Sequence, residues 1–455
     1  MIRLLPLVLA LVAAPVGAQT FIVNQGNFSD GNGSVTVLDG SDAATQLFEG
    51  GLGSILQSAT QVGGRLYLVA NSADRIEVVD VRTRARVGQI GGGEDSPFSS
   101  PRYLGALEDG TDRAYVTNQV YFGGNASYVL PLTLEGDGAT VGDRIEVDGL
   151  PEGMVVFGDS LYVALGTFGP GSGGVDSLAV IDTRQNTLAG YLDLGCYARF
   201  VVATGFLIDT LAAFCEDTGE VVFIDRDARS VAQRFAVEGG IGDPSGIGQG
   251  VGPARIGNPT RQVSPKAFAH YVITASGIVE VTDEGVAGTI SIPDLDTHPV
   301  SAVSGSKDSN SALLLLGRPD PDNPFTADGT VTVHDLDGTL LATYPAGIYP
   351  VQVTFDRFIF VATEDAATAA LGFALAGPNP ARSSTALAFT LDAPAEVAVT
   401  VHDLLGRTVA TVADRAFGAG EARLPLDVAG LAPGPYRVRL ATGGRVAVVA
   451  LTVVR

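Results

Sequence analysis

The side chains in this sequence with the most to offer chemically are aromatics, amides and guanidiniums at recurring positions. Arg102, Tyr103, Glu152, Tyr197, Arg199, His298, Tyr349 and Gln352 stand beside Pro101, Pro151, Cys196, Pro299 and Pro350. Asn24, Asn71, Asn118, Tyr121, Phe122 and Phe168 form a second group, in turns that follow apolar runs. Aromatic faces cover apolar surface, and amides meet amides. The mixture suits non-covalent capture of a large, amide-bearing, partly apolar ligand. A competing role exists for Asn24, Asn71 and Asn118, because Asn at a strand end caps the turn through its own backbone.

Catalytic motifs are missing. The histidines are His270, His298, His334 and His402, and none belongs to H-E-x-x-H. A G-x-S-x-G elbow and a phosphate loop are likewise not found. Oxygen-rich runs occur at Asn27, Asp30 and Asn32 and at Asp320, Asp322, Asn323 and Asp328, without the EF-hand spacing for calcium. No cofactor is implied. Catalytic groups from distant segments can still converge, so a hydrolase or lyase at a shared centre stays a competing reading.

These residues need a scaffold, and a repeat supplies one. An apolar strand ending in a small polar residue, a loop, and a second strand ending in Asp return every 43 to 59 residues. The copies begin at Phe21, Leu66, Ala114, Leu161, Leu211, His270 and Leu313. Such a period marks a repeat architecture. Period-2 strands of four to six residues, broken by Gly, Asn and Asp, predict four-stranded antiparallel blades. The fold is therefore all-β, a seven-bladed β-propeller. Its first unit lacks an inner strand, which Val351 to Phe355 would supply by closing the ring. Phe358 to Thr363 is left over, and the sequence leaves an eighth blade open. In such a fold both groups of loops emerge on one face, around the central opening. The insertion Gly239 to Pro265 joins them there, as a lid, a partner contact or a plain loop. Asp39, Asp80, Asp182, Asp225 and Asp335 end third strands and should accept backbone hydrogen bonds from the next turn.

Composition sets the boundaries. The chain has 455 residues, with 28 basic against 50 acidic side chains, a formal charge of −22. Such a surface repels phosphate backbones, which disfavours nucleic acid as a partner. Residues 1–18 read as a secretory signal: Arg3, the apolar run Leu4 to Ala14, and the cleavage site Val16-Gly17-Ala18. No other run is long enough to span a bilayer. Export places Cys196 and Cys215, the only cysteines, in an oxidising compartment. They face each other if Arg199 to Ala203 and Thr210 to Phe214 form a hairpin, so a disulfide is expected, with two buried thiols as the alternative.

The propeller is expected over residues 19–365, a small-residue linker over 366–371, and an immunoglobulin-like β-sandwich over 372–455. Short strands at Thr385 to Leu391, Glu396 to His402, Thr408 to Val412, Glu421 to Asp427, Tyr436 to Ala441 and Arg445 to Val453 suggest that sandwich.

The last segment contains Gly377-Pro378-Asn379-Pro380, then VTVHDLLGR at Val399 to Arg407 and GLAPGPYRVRL at Gly430 to Leu440. It resembles the type A sorting domain of the type IX secretion system of Bacteroidetes, although Ala381 stands where Phe is common. The resemblance implies handling by that machinery and delivery to the cell surface or the medium. The repeat region, with FIVNQGNFSDGNGSVTVLD, Ser100-Pro101-Arg102-Tyr103 and Pro151-Glu152-Gly153, resembles the YncE-like, surface-layer-type propellers of the same phylum. Gln25 stands where Glu is usual. Some members of that family capture corrinoids and pass them to a TonB-dependent outer-membrane transporter. The resemblance thus implies a non-catalytic surface binding protein with those partners. A structural or adhesive surface protein without a small ligand is the alternative.

Overall fold

The computed structural model describes residues 19–38, 44–107, 111–121, 126–166, 175–203, 210–241, 261–264, 267–282, 285–305, 313–355, 373–379, 381–391, 393–402, 408–431, 434–442 and 445–454. The signal segment, Asp39, Phe122, Phe168, residues 242–260 of the long insertion, and Phe358 to Thr363 lie outside them.

The seven repeat units fold into seven antiparallel sheets. In the second, Leu56–Val62, Arg65–Ala70, Arg75–Asp80 and Arg86–Gly91 pair in chain order. The third has a fifth strand, because its outer edge is shared by Gly138–Val141 and Ile145–Val147. Second and third strands are buried on both faces, as in RLYLVA and SLAVID, because each blade is sandwiched between two others. Outer strands such as Thr187–Asp193 alternate between exposed and mostly half-buried positions. Leu66, Leu68, Val163, Leu165, Val222 and Ile224 are fully buried in the cores between blades.

The ring closes as the sequence predicts. Pro350–Phe355 pairs antiparallel with Thr20–Asn24, Phe21 opposite Thr354, and becomes the inner strand of the first blade. Inner strands then pack side by side. Pro350–Phe355 lies against Leu56–Val62, and Leu56–Val62 against Pro101–Ala106. Leu150–Phe157 and Ala198–Ala203 follow, and Ala302–Gly305 returns to Pro350–Phe355.

Each third-strand Asp within the described residues does what its position suggests. Asp80 Oδ1 accepts from the Thr83 amide at 2.7 Å, and Asp225 Oδ1 from Ala228 at 2.9 Å. Asp182 Oδ1 accepts from Arg184 at 2.8 Å and Asp335 Oδ1 from Thr339 at 2.8 Å. These bonds fix the turn into the outer strand.

The C-terminal unit is a pair of sheets. One runs Ala374–Leu375, Ser384–Leu391, Gly420–Asp427; the other Thr408–Phe417, Ala395–His402, Gly434–Thr442, Arg445–Val453. Leu387 and Phe389 from the first meet Val397, Val399, Val438 and Leu440 from the second in one apolar core. Among the described residues no helix is long and apolar enough to cross a membrane.

Candidate functional site

The inner strands carry one irregularity at the same end. Register shifts just after the first or second paired residue in five consecutive blades: between Pro350 and Gln352, Leu56 and Ser58, Pro101 and Leu104, Pro151 and Met154, and Ala198 and Phe200. Each shift is a β-bulge, which leaves residues out of the ladder and re-aims their side chains. The residues set free include Gln57, Arg102, Glu152 and Arg199. Inner strands are sheet edges, so Pro101 and Pro350 can start them and Pro151 can stand second without losing a ladder bond.

Three of these bulge residues form one network. Arg102 makes a forked pair with Glu152, Nη2 to Oε1 at 2.9 Å and Nε to Oε2 at 3.1 Å. Arg199 Nη1 reaches the same Oε1 at 3.5 Å, and its Nε lies 2.8 Å from Glu216 Oε1. Gln119 donates from Nε2 to Glu152 Oε1 at 3.0 Å and to Pro151 O at 3.2 Å. Tyr121 donates its phenol proton to Gln119 Oε1. Tyr103 packs edge-on against Phe200, with centroids 5.3 Å apart.

Two positive and two negative charges balance in this buried cluster. Burial pushes the Glu152 carboxyl up, but Arg102, Arg199 and the Gln119 amide outweigh it and hold it below the usual carboxylate range. Glu216 goes the other way: burial raises it more than Arg199 lowers it. Burial works against charge on Arg102 and Arg199 too, yet their carboxylate partners keep both firmly protonated. The Tyr121 phenol is pushed up to about 12, chiefly by burial. Tyr121 is nevertheless 38% exposed, so it is where this hydrogen-bond chain reaches the surface.

The other candidates from the sequence separate into groups. Arg102, Tyr103, Glu152, Arg199 and Tyr121 come together; Phe122 and Phe168 lie outside the described residues. Tyr197 borders the cluster, its amide donating to Asp217 Oδ1 at 2.9 Å. Asn71 Nδ2 donates to Pro101 O at 2.9 Å, across to the next blade. Asn118 donates to Val116 O at 2.9 Å and accepts from the Ser99 amide at 3.1 Å. Asn24 donates to Thr36 Oγ1 at 2.9 Å. All three asparagines therefore serve the turn and strand ends around them.

Tyr349 and Gln352 are placed differently from the expectation that they face the opening. Tyr349 is 5% exposed and stacks on Phe325 at 4.7 Å, because burying the ring against the loop of the last blade removes more apolar area from water. Gln352 uses both atoms of its amide on Ala59 of the second blade. His298 is exposed in the loop entering the seventh blade, and its carbonyl accepts from Arg318 at 3.0 Å. The oxygen-rich runs are used locally. Asp320 Oδ1 accepts from Asn323 N at 2.7 Å, and Asn32 Oδ1 from Asn27 N at 2.6 Å. Among the described residues, no group of three or more His, Cys, Asp or Glu is placed to hold a metal ion.

Sequence reading missed Gln119 and Glu216. Aligning the units on the ends of their second strands would have found them, since Gln25, Gln119 and Glu216 each follow the last residue of such a strand. The expected disulfide is present: Cys196 and Cys215 are bonded, with Cα atoms 5.8 Å apart.

Residues 377–454 match the model of the secretion system C-terminal sorting domain. This tail marks an exported protein, delivered by type IX secretion to the cell surface or the extracellular space. No curated protein matches the chain in sequence. Among solved structures, Kuenenia stuttgartiensis hydrazine synthase is similar at 15% identity and a TM-score of 0.43, over 65% of this chain and 92% of that one. Dihydro-heme d1 dehydrogenase NirN, in complex with DHE, gives 14%, 0.47, 75% and 76%. BBS1N in complex with ARL6DN gives 14%, 0.45, 67% and 90%. Likeness at this level says nothing of ligand or reaction.

Proposed function

We propose that this exported chain is a non-catalytic binding protein whose ligand face is the end of the propeller carrying Arg102, Glu152, Arg199 and Glu216. The observation behind this is the run of bulges. Neighbouring inner strands give up ladder bonds at the same end and turn charged side chains toward one another there. Burying three charges and half-burying a fourth is costly, and an apolar filling would hold a ring together at least as well. A preorganised polar cluster with an exposed phenol at its edge is instead what a recognition site needs.

The most specific ligand candidate is a corrinoid, passed on to a TonB-dependent outer-membrane transporter. Its support is the resemblance of the first, third and fourth blades to surface-layer-type propellers, together with the amides and aromatics near the cluster. The test is co-elution. The purified chain is mixed with cyanocobalamin or cobinamide, and the protein peak from a sizing column is read in the visible. A stoichiometric coloured peak that Tyr121→Ala or Arg199→Ala weakens supports the reading. A colourless peak with both corrinoids removes that ligand and turns the search to macromolecular partners of an adhesive surface protein.

A further inference from the structure

The fifth blade differs from its neighbours at the base of its bulge. In the first, third and fourth blades the residue before the bulge is Pro350, Pro101 or Pro151, whose ring fixes φ. The fifth blade has Ala198 there, paired with Cys215. Two residues upstream stands Cys196, bonded to that same Cys215. The third blade shows what this tie replaces. Ser99 and Asn118 hold the equivalent positions, and the Ser99 amide donates to Asn118 Oδ1 at 3.1 Å. The second blade also lacks the proline, with Leu56 in its place, and is tied by the Ile55 amide donating to Ser72 Oγ at 3.1 Å.

The covalent tie sits where the charged cluster needs it. Glu216 follows Cys215 directly, and Arg199 lies three residues after Cys196. The Glu216 amide donates to Tyr197 O at 3.3 Å, and the Tyr197 amide to Asp217 Oδ1 at 2.9 Å, so the two segments are locked side by side. Both cysteines are buried, at 1% and 0% exposure.

We infer that the Cys196–Cys215 disulfide is a positioning element for the cluster: it holds Arg199 against Glu216 and, through Arg199, steadies Glu152 of the neighbouring blade. The disulfide does the work that proline and an Asn side chain share in the third blade. Because it forms only where thiols are oxidised, the cluster is completed after export. This concerns the geometry of the cluster and stands whichever ligand it takes.

Arginine-selective labelling of the full chain with phenylglyoxal, read by peptide mass spectrometry, tests it. Arg318, 2% exposed in the seventh blade and bonded to Asp294, Thr332 and His298, is the internal reference. In folded Cys196→Ala/Cys215→Ala, Arg199 should label on the order of tenfold faster relative to Arg318, through local opening. In Cys196→Ser/Cys215→Asn, which copies the third blade, protection should return to the wild-type level. Loss of global stability in the Ala/Ala chain with Arg199 still protected would overturn the inference, leaving the disulfide a plain cross-link. If the Ala/Ala chain does not fold, the Ser/Asn chain decides: Arg199 protected supports the positioning role, and Arg199 exposed in a folded chain sinks it.

Discussion

Gln352 and Ala59 are joined by two hydrogen bonds that imitate a sheet ladder. The Ala59 amide donates to Gln352 Oε1 at 2.8 Å, and Gln352 Nε2 donates to Ala59 O at 2.9 Å. A side-chain amide has the donor and acceptor of a peptide group. Here it bridges the closing strand of the first blade to the inner strand of the second. Similar clasps link the second blade to the third and the seventh to the first. Ser58 Oγ donates to Arg102 O at 2.7 Å, Thr60 Oγ1 to Leu104 O at 2.6 Å, and Ser301 Oγ to Pro350 O at 2.5 Å.

Gln352→Ala should therefore cost more than a surface amide would. It leaves a buried backbone donor and acceptor at Ala59 unpaired, each worth about 1–3 kcal/mol. A loss of about 3 kcal/mol is expected, read as a lower urea midpoint in equilibrium unfolding. Gln352→Glu should not rescue it, because a carboxylate cannot donate to Ala59 O. A midpoint unchanged in both variants would show that the clasp adds nothing to closure.

Much of this was legible in the sequence. The Asp that ends most third strands, the small polar residue that ends the second strands and the missing first inner strand together point to seven units and to ring closure, with the blade count left open by Phe358 to Thr363. Local periodicity carries that information. The site was half legible. Arg102, Glu152 and Arg199 were found because the entry to each inner strand is marked by Pro101, Pro151 or Cys196. Tyr349 and Gln352 were read as facing the opening because their partners, Phe325 and Ala59, lie in distant segments of the chain, which no local pattern reveals. Glu216 and Gln119 were overlooked for a related reason. Gln119 meets Glu152 of the next blade and Glu216 meets Arg199 of the adjacent strand, and their shared place shows only when the units are aligned on the ends of their second strands.

The charged cluster predicts strong coupling. Glu152→Ala removes the carboxylate shared by Arg102 and Arg199 and strands two guanidiniums. Breaking a buried pair from one side costs about 3–5 kcal/mol. Combining Arg102→Met with Glu152→Gln leaves Arg199 and Glu216 charge-balanced. The double variant should be less destabilised than the sum of the singles by about 1–3 kcal/mol. A double-mutant cycle on unfolding free energies measures this, and strict additivity would mean that the groups do not act as one network.

His270 predicts acid sensitivity. It is buried between the fifth and sixth blades, where Nε2 bonds the Ala203 carbonyl at 3.0 Å and the ring meets Phe214 edge-on. Since a carbonyl only accepts, Nε2 carries a proton. Burial lowers its pKa from 6.5 to about 4. Below pH 6.5 the unfolded chain therefore takes up a proton that the folded chain refuses. Stability should fall by about 3 kcal/mol between pH 6.5 and about 4. Burial moves His334 in the same direction, while the raised Glu216 carboxyl opposes the trend near its own titration. Comparison with His270→Gln, which keeps an N–H donor but cannot titrate, isolates the effect. Equal pH slopes in the two proteins would assign the acid lability elsewhere.

The tail predicts location. Its sheets share one core of their own, in which Leu387 and Phe389 meet Val397, Val399 and Leu440. The match to the sorting domain spans residues 377–454, the same segment. Removing residues 372–455 should then leave the propeller's closure intact, because that closure ends at Phe355. A truncated chain expressed in a host with type IX secretion should accumulate in the periplasm, oxidised at Cys196–Cys215. The full chain should appear at the cell surface or in the medium. Fractionation and protease shaving read the difference. Surface delivery of the truncated chain would mean that the propeller carries its own address, and that recognition of the tail is dispensable for export.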